Sequence, residues 1–330
     1  MSFIQYNPED SVISSETITR GAWTNDNATL TTFYTPDPDL GTSYNLDVYD
    51  SVDAANIQFS IQYANLGGIG YSPINSAVTT NTPSRINYGQ YRSLIYNDEN
   101  SSFRFGETTV SSFWALSIAR ARFKESIRPG SLTLKLSGTG FGLSSLQLTD
   151  DSVVSGSVTN FIGSNRYYTL LSGSAGTIAN VQNQGVSGSY GLVFPDLGII
   201  LLNPRALSLP SSSGGIGLAE VGGSSGGSMS ALFNRIYTGS LFTMQSQETV
   251  SSRYFFTRVK NNDFNYTTNP SIINDSGSLL YSTLIDNPQT YVTTVGMYND
   301  SNELLGVAKL SRPLIKDFTK EALIRIKLDY

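Results

Sequence analysis

The sequence predicts a mainly β, α+β protein: antiparallel sheets in a β-sandwich-like arrangement, with one or two short helices and Gly/Ser-rich loops. Three observations carry that expectation. Period-two alternation of apolar and polar residues recurs along the chain, helical spacing is confined to a few short stretches, and clusters of Gly, Ser, Asn and Asp separate the apolar segments. Alternation marks a strand because successive side chains point to opposite faces of a sheet.

The first alternating segments are YNLDVYD (44–50) and NIQFSIQYA (56–64), the second placing Ile57, Phe59 and Ile61 on one face. TPSRINYGQYRSLIY (82–96) reads as a helix. Thr82 supplies an N-cap, and Pro83 suits the first helical position, where no backbone N–H is needed. Tyr88, Tyr91 and Ile95 then fall at helical spacing, although Gly89 weakens the segment. SSFWALSIARARFKE (111–125) reads both ways: its Ala and Arg permit a helix, while Phe113, Ala115, Ser117 and Ala119 alternate. In SLTLKLSG (131–138), Leu132, Leu134 and Leu136 point inward.

Residues 138–190 are rich in Gly and Ser between short apolar pieces, which suggests a β-rich subdomain or an insertion in the middle of the chain. The most apolar run, GLVFPDLGIILLN (191–203), is too short for a membrane span and contains Pro195 and Asp196. SSSGGIGLAEVGGSSGGSM (211–229) reads as a flexible surface connection, since the G-x-x-x-x-G-K-S/T phosphate cradle and its lysine are missing. SMSALFNRIYTG (228–239) is a second short helix. TYVTTVGMY, the turn residues NDSNE (299–303) and the returning LLGVAKL form a hairpin. After Pro313 a short connection leads to the last strand, ALIRIKLDY, with Ala322, Ile324, Ile326, Leu328 and Tyr330 on one face and Arg325, Lys327 and Asp329 on the other. The organisation expected is an N-terminal β-rich part (1–130, with the helix near 82–96), a central β-rich subdomain (131–243) and a C-terminal β unit (244–330), parts that can interleave into one domain.

Composition narrows the function. Across 330 residues, 39% are hydrophobic and 14% charged, against a usual charged share of about 25%. Ser, Thr, Asn and Gly take the place of charge, which suits strands and large interfaces. Cysteine is absent, excluding disulfides and thiolate metal sites. Histidine is absent as well, removing the commonest general base and the usual metal ligand. A net charge of −5 does not suit a nucleic-acid binder. The opening MSFIQYNPED has no basic or apolar signal-peptide region, so none is expected.

Acidic pairs are present, and on an extended strand Asp37 and Asp39 could bind Ca²⁺ or work as an acid/base pair. Asp37 and Asp39 would share a face if extended, but their flanking prolines point to an exposed turn. Asp150 and Asp151 read as solvated loop acids. YNDENSS (96–102) and YNDSNE (298–303) lack the glycine and distant Glu of an EF-hand. There is no G-x-S-x-G elbow. The expectation is no enzymatic activity, no cofactor and no metal.

The stretch RYFFTRVKNNDFNYTTNP (253–270) mixes aromatic, basic and amide residues. On a strand, Tyr254, Phe256, Arg258 and Lys260 share one side, and Phe255, Thr257 and Val259 the other. A base-stacking stripe would need a basic field that the acidic chain does not provide. A strand packed on both faces, inside a sheet or against a neighbouring chain, is the preferred reading. The interface or core candidates are Tyr254, Phe255, Phe256 and Arg258, with Tyr291, Phe318 and Tyr330.

SSRYFFTRVKNNDFNYTTNPSI followed by NPQTYVTTVGMYNDSNELLGVAKLSRPLIKDFTKEALIRIKLDY resembles the C-terminal module of virion structural proteins of large contractile-tailed bacteriophages, including marine and cyanobacterial ones. GAWTNDNATLTTFYT (21–35), INYGQYRSLIYNDENSSFRFG (86–106), RARFKESIRPGSLTLKLSG (120–138) and YGLVFPDLGIILLNPRAL (190–207) resemble that group too. The resemblance touches most of the chain outside the Gly/Ser-rich parts. It implies a tail, baseplate or neck component, made in the host cytoplasm and built into the virion. The partners implied are other virion proteins, in several copies around a symmetry axis, without nucleic acid or membrane. The rival readings are a capsid-associated structural protein, a virion glycosidase with two carboxylates about 5–9 Å apart, a carbohydrate-binding module, and a nucleic-acid binder with a basic face around Arg253, Arg258 and Lys260.

Overall fold

A computed structural model describes residues 4–23, 33–34, 44–50, 56–69, 82–138, 145–154, 160–180, 188–219, 227–265 and 269–329. The chain forms two compact units, residues 17–248 and residues 1–16 with 249–330. In order, the first elements are β1 (Ser11–Gly21), β2 (Phe33–Tyr34), β3 (Leu46–Asp50), β4 (Ile57–Asn65), α1 (Pro83–Tyr96), β5 (Phe103–Phe105), β6 (Thr108–Val110) and β7 (Ser112–Ile118). There follow α2 (Arg120–Phe123), β8 (Ser126–Ile127), β9 (Thr133–Ser137), β10 (Ser145–Asp150), β11 (Asn160–Ile162), β12 (Asn165–Ser174), β13 (Thr177–Asn180), β14 (Gly191–Phe194) and β15 (Ile199–Leu202). The last are α3 (Pro204–Ser208), α4 (Gly227–Gly239), β16 (Leu241–Thr243), β17 (Gln245–Val259), α5 (Thr283–Asp286), β18 (Thr290–Tyr298), β19 (Leu304–Lys316) and β20 (Ala322–Asp329). The protein is mainly β, as its alternation predicts.

The larger unit is built on one twelve-stranded sheet with the path β16-β9-β10-β12-β14-β15-β7-β4-β3-β2, and β11 and β13 attached to β12. The stretches 1–130 and 131–243 both contribute strands to it, so they interleave. In β4, β7, β14 and β15, successive residues enter two different cores. Trp114, Leu116 and Ile118 face a core with Phe59, Ile61, Val193, Ile200 and Leu202. Phe113 and Ala115 face the other, with Ala64, Leu192, Phe194, Ile199 and Leu201. A strand buried on both faces loses the alternating signature. The ambiguous 111–125 segment therefore resolves into a strand followed by the one-turn α2.

Each core is closed by a helix. α4 contributes Met229, Leu232, Phe233 and Ile236 to the first core. α1 contributes Tyr88, Tyr91 and Ile95 to the second. Pro83 does occupy the start of α1, although the Thr82 side chain makes no capping bond. Asn97 ends the helix in the left-handed region, at φ 53°. The Asn87 side chain donates to the carbonyls of Tyr44 (2.8 Å) and Tyr63 (3.1 Å), fixing the helix over the sheet. The Tyr91 hydroxyl bonds Gln62 and Ser117, and burial pushes its pKa up to about 12. Trp23 Nε1 donates to the Phe242 carbonyl at 2.7 Å, inside an aromatic cluster with Phe59.

Two sequence readings shift. The predicted shared face of Ile57, Phe59 and Ile61 is broken by an irregularity opposite Val48 and Tyr49. Gln58 turns inward, its Nε2 reaching Asp50 Oδ2 at 3.2 Å, while Ile57 is exposed. A bulge reverses the side-chain alternation, and single-residue periodicity does not reveal it. Pro313, expected in a connection, lies within β19, which runs on to Lys316. The ladder partner steps from Leu314 to Lys309 between Val292 and Thr294, so Pro313 sits where the register skips and no ladder N–H is required.

The run GLVFPDLGIILLN is the β14–β15 hairpin. Gly198 turns it with φ +67°, and the Phe123 ring lies where a Cβ would project, 2.2 Å away. Gly191 faces a different constraint, since a Cβ there would stand 1.9 Å from the Leu201 carbonyl oxygen. The Gly191→Ala variant therefore overpacks the doubly buried hairpin. It is expected to lose about 1–3 kcal/mol or more, read as a lowered urea midpoint at unchanged m-value.

Candidate functional site

In the smaller unit, β17 and β20 pair without interruption from Ser252 opposite Asp329 to Val259 opposite Ala322. Tyr254, Phe256 and Arg258 thus share a face with Lys327, Arg325 and Leu323. Phe255, Thr257 and Val259 share the other with Ile326, Ile324 and Ala322. Val259, Ala322, Ile324 and Ile326 form this unit's core, with Phe255, Val292, Val295, Met297, Ala308, Leu310 and Leu314 packed against it. β18 and β19 form a separate two-stranded hairpin.

The aromatic and basic face is compensated. Arg258 donates through Nε and Nη2 to Glu321 Oε2 at 3.1 and 2.6 Å. Lys327 Nζ lies 3.0 Å from Asp329 Oδ1. The Arg325 guanidinium sits 5.5 Å from the centre of the Tyr254 ring. The Ser252 hydroxyl (2.6 Å) and then Lys327 hold the Asp329 carboxyl below its ordinary value. The hydrogen bond from Lys327 to Asp329 raises the ammonium in turn. Two of the three cations on this face carry a carboxylate, which cancels the field a phosphate backbone needs.

A buried lysine organises the next layer. Lys316 is fully buried, and Nζ donates to the Asn261 carbonyl (2.8 Å), Asn265 Oδ1 (2.9 Å) and the Asp317 carbonyl (3.0 Å). Three donors meet three acceptors, so the ammonium ties the loop after β17 to the end of β19. Asp317 then accepts from the Thr319 backbone N–H (2.9 Å) and hydroxyl (2.6 Å) and pairs with Lys320 (3.2 Å). Those partners, the Thr319 hydroxyl foremost, hold its carboxyl low. This turn projects Phe318 outward, 55% exposed.

Phe318 borders an open groove of about 1510 Å³, larger than the ~300–1,000 Å³ of small-molecule sites. Phe255, Phe264, Val292, Met297 and Ile324 also line it, and among the described residues Asp300 is the one charged residue in its lining. Most of the exposed large apolar side chains among the described residues belong to this unit, including Leu305 at 69% and Tyr291 at 60%.

The structure brings Phe255 and Phe318 to the groove and leaves Tyr254, Phe256 and Arg258 on the other sheet face. Tyr254, Phe255 and Phe256 are all half-buried, and Tyr291 is exposed on the hairpin. Tyr330, Asp37 and Asp39 lie outside the described residues. Asp150 and Asp151 are turn-builders rather than solvated acids: Asp150 is buried and accepts from Gly130 N–H (2.8 Å), and Asp151 accepts from Thr169 N–H (2.9 Å). Burial pushes the Asp151 carboxyl up. Asp98 accepts from Asn100 N–H (3.1 Å) and the Ser101 hydroxyl (2.6 Å), closing its own turn. Among the described residues no group of three or more acids stands ready for a metal ion, and no helix is long and apolar enough to cross a membrane.

Sequence reasoning missed the groove, the Lys316 knot and the open edge of β18. The last had a signal, since TYVTTVGMY carries no charge over nine residues. Comparison with protein-family models, curated proteins and solved structures finds no match.

Asp317 and Asp329 both titrate below the ordinary 3.8 in the folded unit. Their contribution is complete above that value and is lost as pH falls through the lower folded values, because the unfolded chain binds those protons first. Hydrogen-exchange protection of β20, corrected for intrinsic rates, is therefore expected to drop as pH falls below the ordinary carboxylate value. Asp317→Asn should flatten part of that dependence, and a flat wild-type profile would refute the assignment.

Proposed function

We propose that this chain is a structural component of a bacteriophage virion, in the tail or baseplate assembly, acting through protein–protein interfaces and without chemistry of its own. The observation that carries this reading is the concentration of exposed apolar side chains around the groove of the smaller unit. An isolated domain rarely presents so much apolar surface without a partner to cover it. The resemblance of most of the chain to contractile-tail virion proteins supports the same reading, as does a charged content of 14%. Neck, collar or capsid positions use the same kind of surface.

The groove also holds Gln5, Asn262, Asn299 and Asn302 beside aromatic rings, the mixture that neutral sugars favour. Its floor, however, is aliphatic over Val259, Val292, Val295 and Ile324, which offers a glycan few hydrogen bonds. Among the described residues the groove's one carboxylate, Asp300, does not make the pair that glycoside hydrolysis uses.

Isotope-standard mass spectrometry of purified particles of the phage that encodes the chain, with cryo-electron microscopy of the same particles, tests the proposal. The expected result is several copies per particle, with density for both units in the tail. Particles devoid of the chain would overturn it.

A further inference from the structure

Among the described residues Lys316 is the only basic side chain that is buried. It ends β19, opposite Thr290 of β18. No described carboxylate stands within ion-pair distance of its Nζ. The neighbouring Asp317 turns its carboxylate to Thr319 and Lys320 instead. An ammonium buried without an opposite charge keeps part of its desolvation cost even when its protons are all accepted. A neutral, hydrogen-bonded amide in the same place carries no such cost.

One of the three acceptors is a side-chain amide. Asn265 is buried, and its Oδ1 lies 2.9 Å from Lys316 Nζ. The amide carbon Cγ is therefore at most about 4 Å from that nitrogen. The amide is itself held: Asn265 Nδ2 donates to the Asn261 carbonyl at 2.7 Å, and Lys316 Nζ reaches the same carbonyl at 2.8 Å. Thr290 Oγ1 donates to the Phe264 carbonyl at 2.7 Å, so β18 fixes the chain immediately before Asn265. An amine and an amide are thus locked in contact, away from water. Groups held so by a fold can react with effective molarities of about 10⁵–10⁸ M.

We propose that Lys316 and Asn265 join in an intramolecular isopeptide bond, Nζ to Cγ, with loss of ammonia, and that the contact described is the pair before that step. The link ties the loop after β17 covalently to the end of β19, in a chain that has no cysteine for a disulfide. It constrains the unfolded chain as a disulfide would. The inference concerns the smaller unit alone and does not depend on the reading of the chain as a virion component.

The step balances without a co-reactant. The Nζ proton that is hydrogen-bonded to Oδ1 passes to that oxygen, and the lone pair it frees on Nζ attacks Cγ. The tetrahedral carbon then re-forms its C=O and breaks its bond to Nδ2. Nδ2 takes the proton from the oxygen and one more from Nζ, and leaves as ammonium. The positive charge departs with it, and nothing is oxidised or reduced. Asn265 borders the groove, which gives the ammonium a way out. The new amide keeps one N–H for the Asn261 or Asp317 carbonyl that Nζ already reaches.

Intact-mass spectrometry of the folded full chain tests the proposal, with peptide mapping under denaturing conditions. The expected mass is that of the sequence less one ammonia, and the map should contain a branched peptide joining the segments that carry Asn265 and Lys316. Asn265→Asp loses water in place of ammonia, so it should converge on the mass of the wild-type product. Lys316→Met should keep its full mass, with circular dichroism to establish folding. A folded wild type at full sequence mass, unchanged after incubation at mildly alkaline pH where amines give up protons, overturns the proposal. A loss of ammonia that maps to an unbranched peptide overturns it too, because that marks a succinimide at an asparagine. The branched peptide is read on the wild type itself, so the folding of neither variant decides the outcome.

Discussion

Burial of one antiparallel sheet on both of its faces is the constraint on which the larger unit depends. In β7, Trp114, Leu116 and Ile118 enter one core while Phe113 and Ala115 enter the other. β14 and β15 repeat the arrangement, and every residue of both is buried. A helix must then cover each side, which is the work of α1 and α4. Several of the polar groups this geometry removes from water are satisfied locally: Asn87 bridges two carbonyls, Trp23 donates to Phe242, and Asn203 Nδ2 donates to the Ser189 carbonyl at 2.8 Å, whereas Trp114 Nε1 finds no partner. Burying them unpaired would cost about 1–3 kcal/mol each.

The smaller unit answers the same requirement less completely. Its core is short, with Val259, Ala322, Ile324 and Ile326 as the buried members. The hairpin β18–β19 covers part of the sheet and leaves the groove. Polar knots substitute for apolar depth here, chiefly Lys316 on the loop carbonyls and Asp317 on its turn. A buried ammonium whose three protons are all accepted is tolerated, but it contributes position more than stability. The consequence is a scaffold that fixes Phe318 and the groove while leaving their apolar surface uncovered.

How much of this was legible follows from the periodicity available. Strands buried on one face announced themselves, as Leu132, Leu134 and Leu136 and the terminal ALIRIKLDY did, and α1 was marked by Pro83 and by the spacing of Tyr88, Tyr91 and Ile95. The doubly buried β7 was not, because Phe113, Ala115 and Ser117 alternate with Trp114, Leu116 and Ile118, which are as apolar, and the segment also permitted a helix. Gln58 was hidden for a related reason, since a bulge changes the face of a residue without changing the sequence pattern around it. The aromatic strand at 254–259 was legible as a strand. Its division between a groove face and a salt-paired face depended on which residues of β20 stand opposite, a long-range register that local spacing does not encode. The Lys316 knot joins residues about fifty positions apart, and a lone lysine in a strand end reads as solvated until its acceptors are known.

The low charge of the chain gains meaning from where the remaining charges sit. In the smaller unit they gather at turns, as Asp300, Glu303 and Lys320 do, on the outer face of the sheet as Arg258–Glu321 and Lys327–Asp329 pairs, and along β19. None falls on β18. Solubility arguments alone would put one there, because a nine-residue uncharged edge invites unwanted pairing. Among the described residues the charges thus wet the turns and the outer sheet face of this unit, and leave β18 and the groove beside it uncharged but for Asp300.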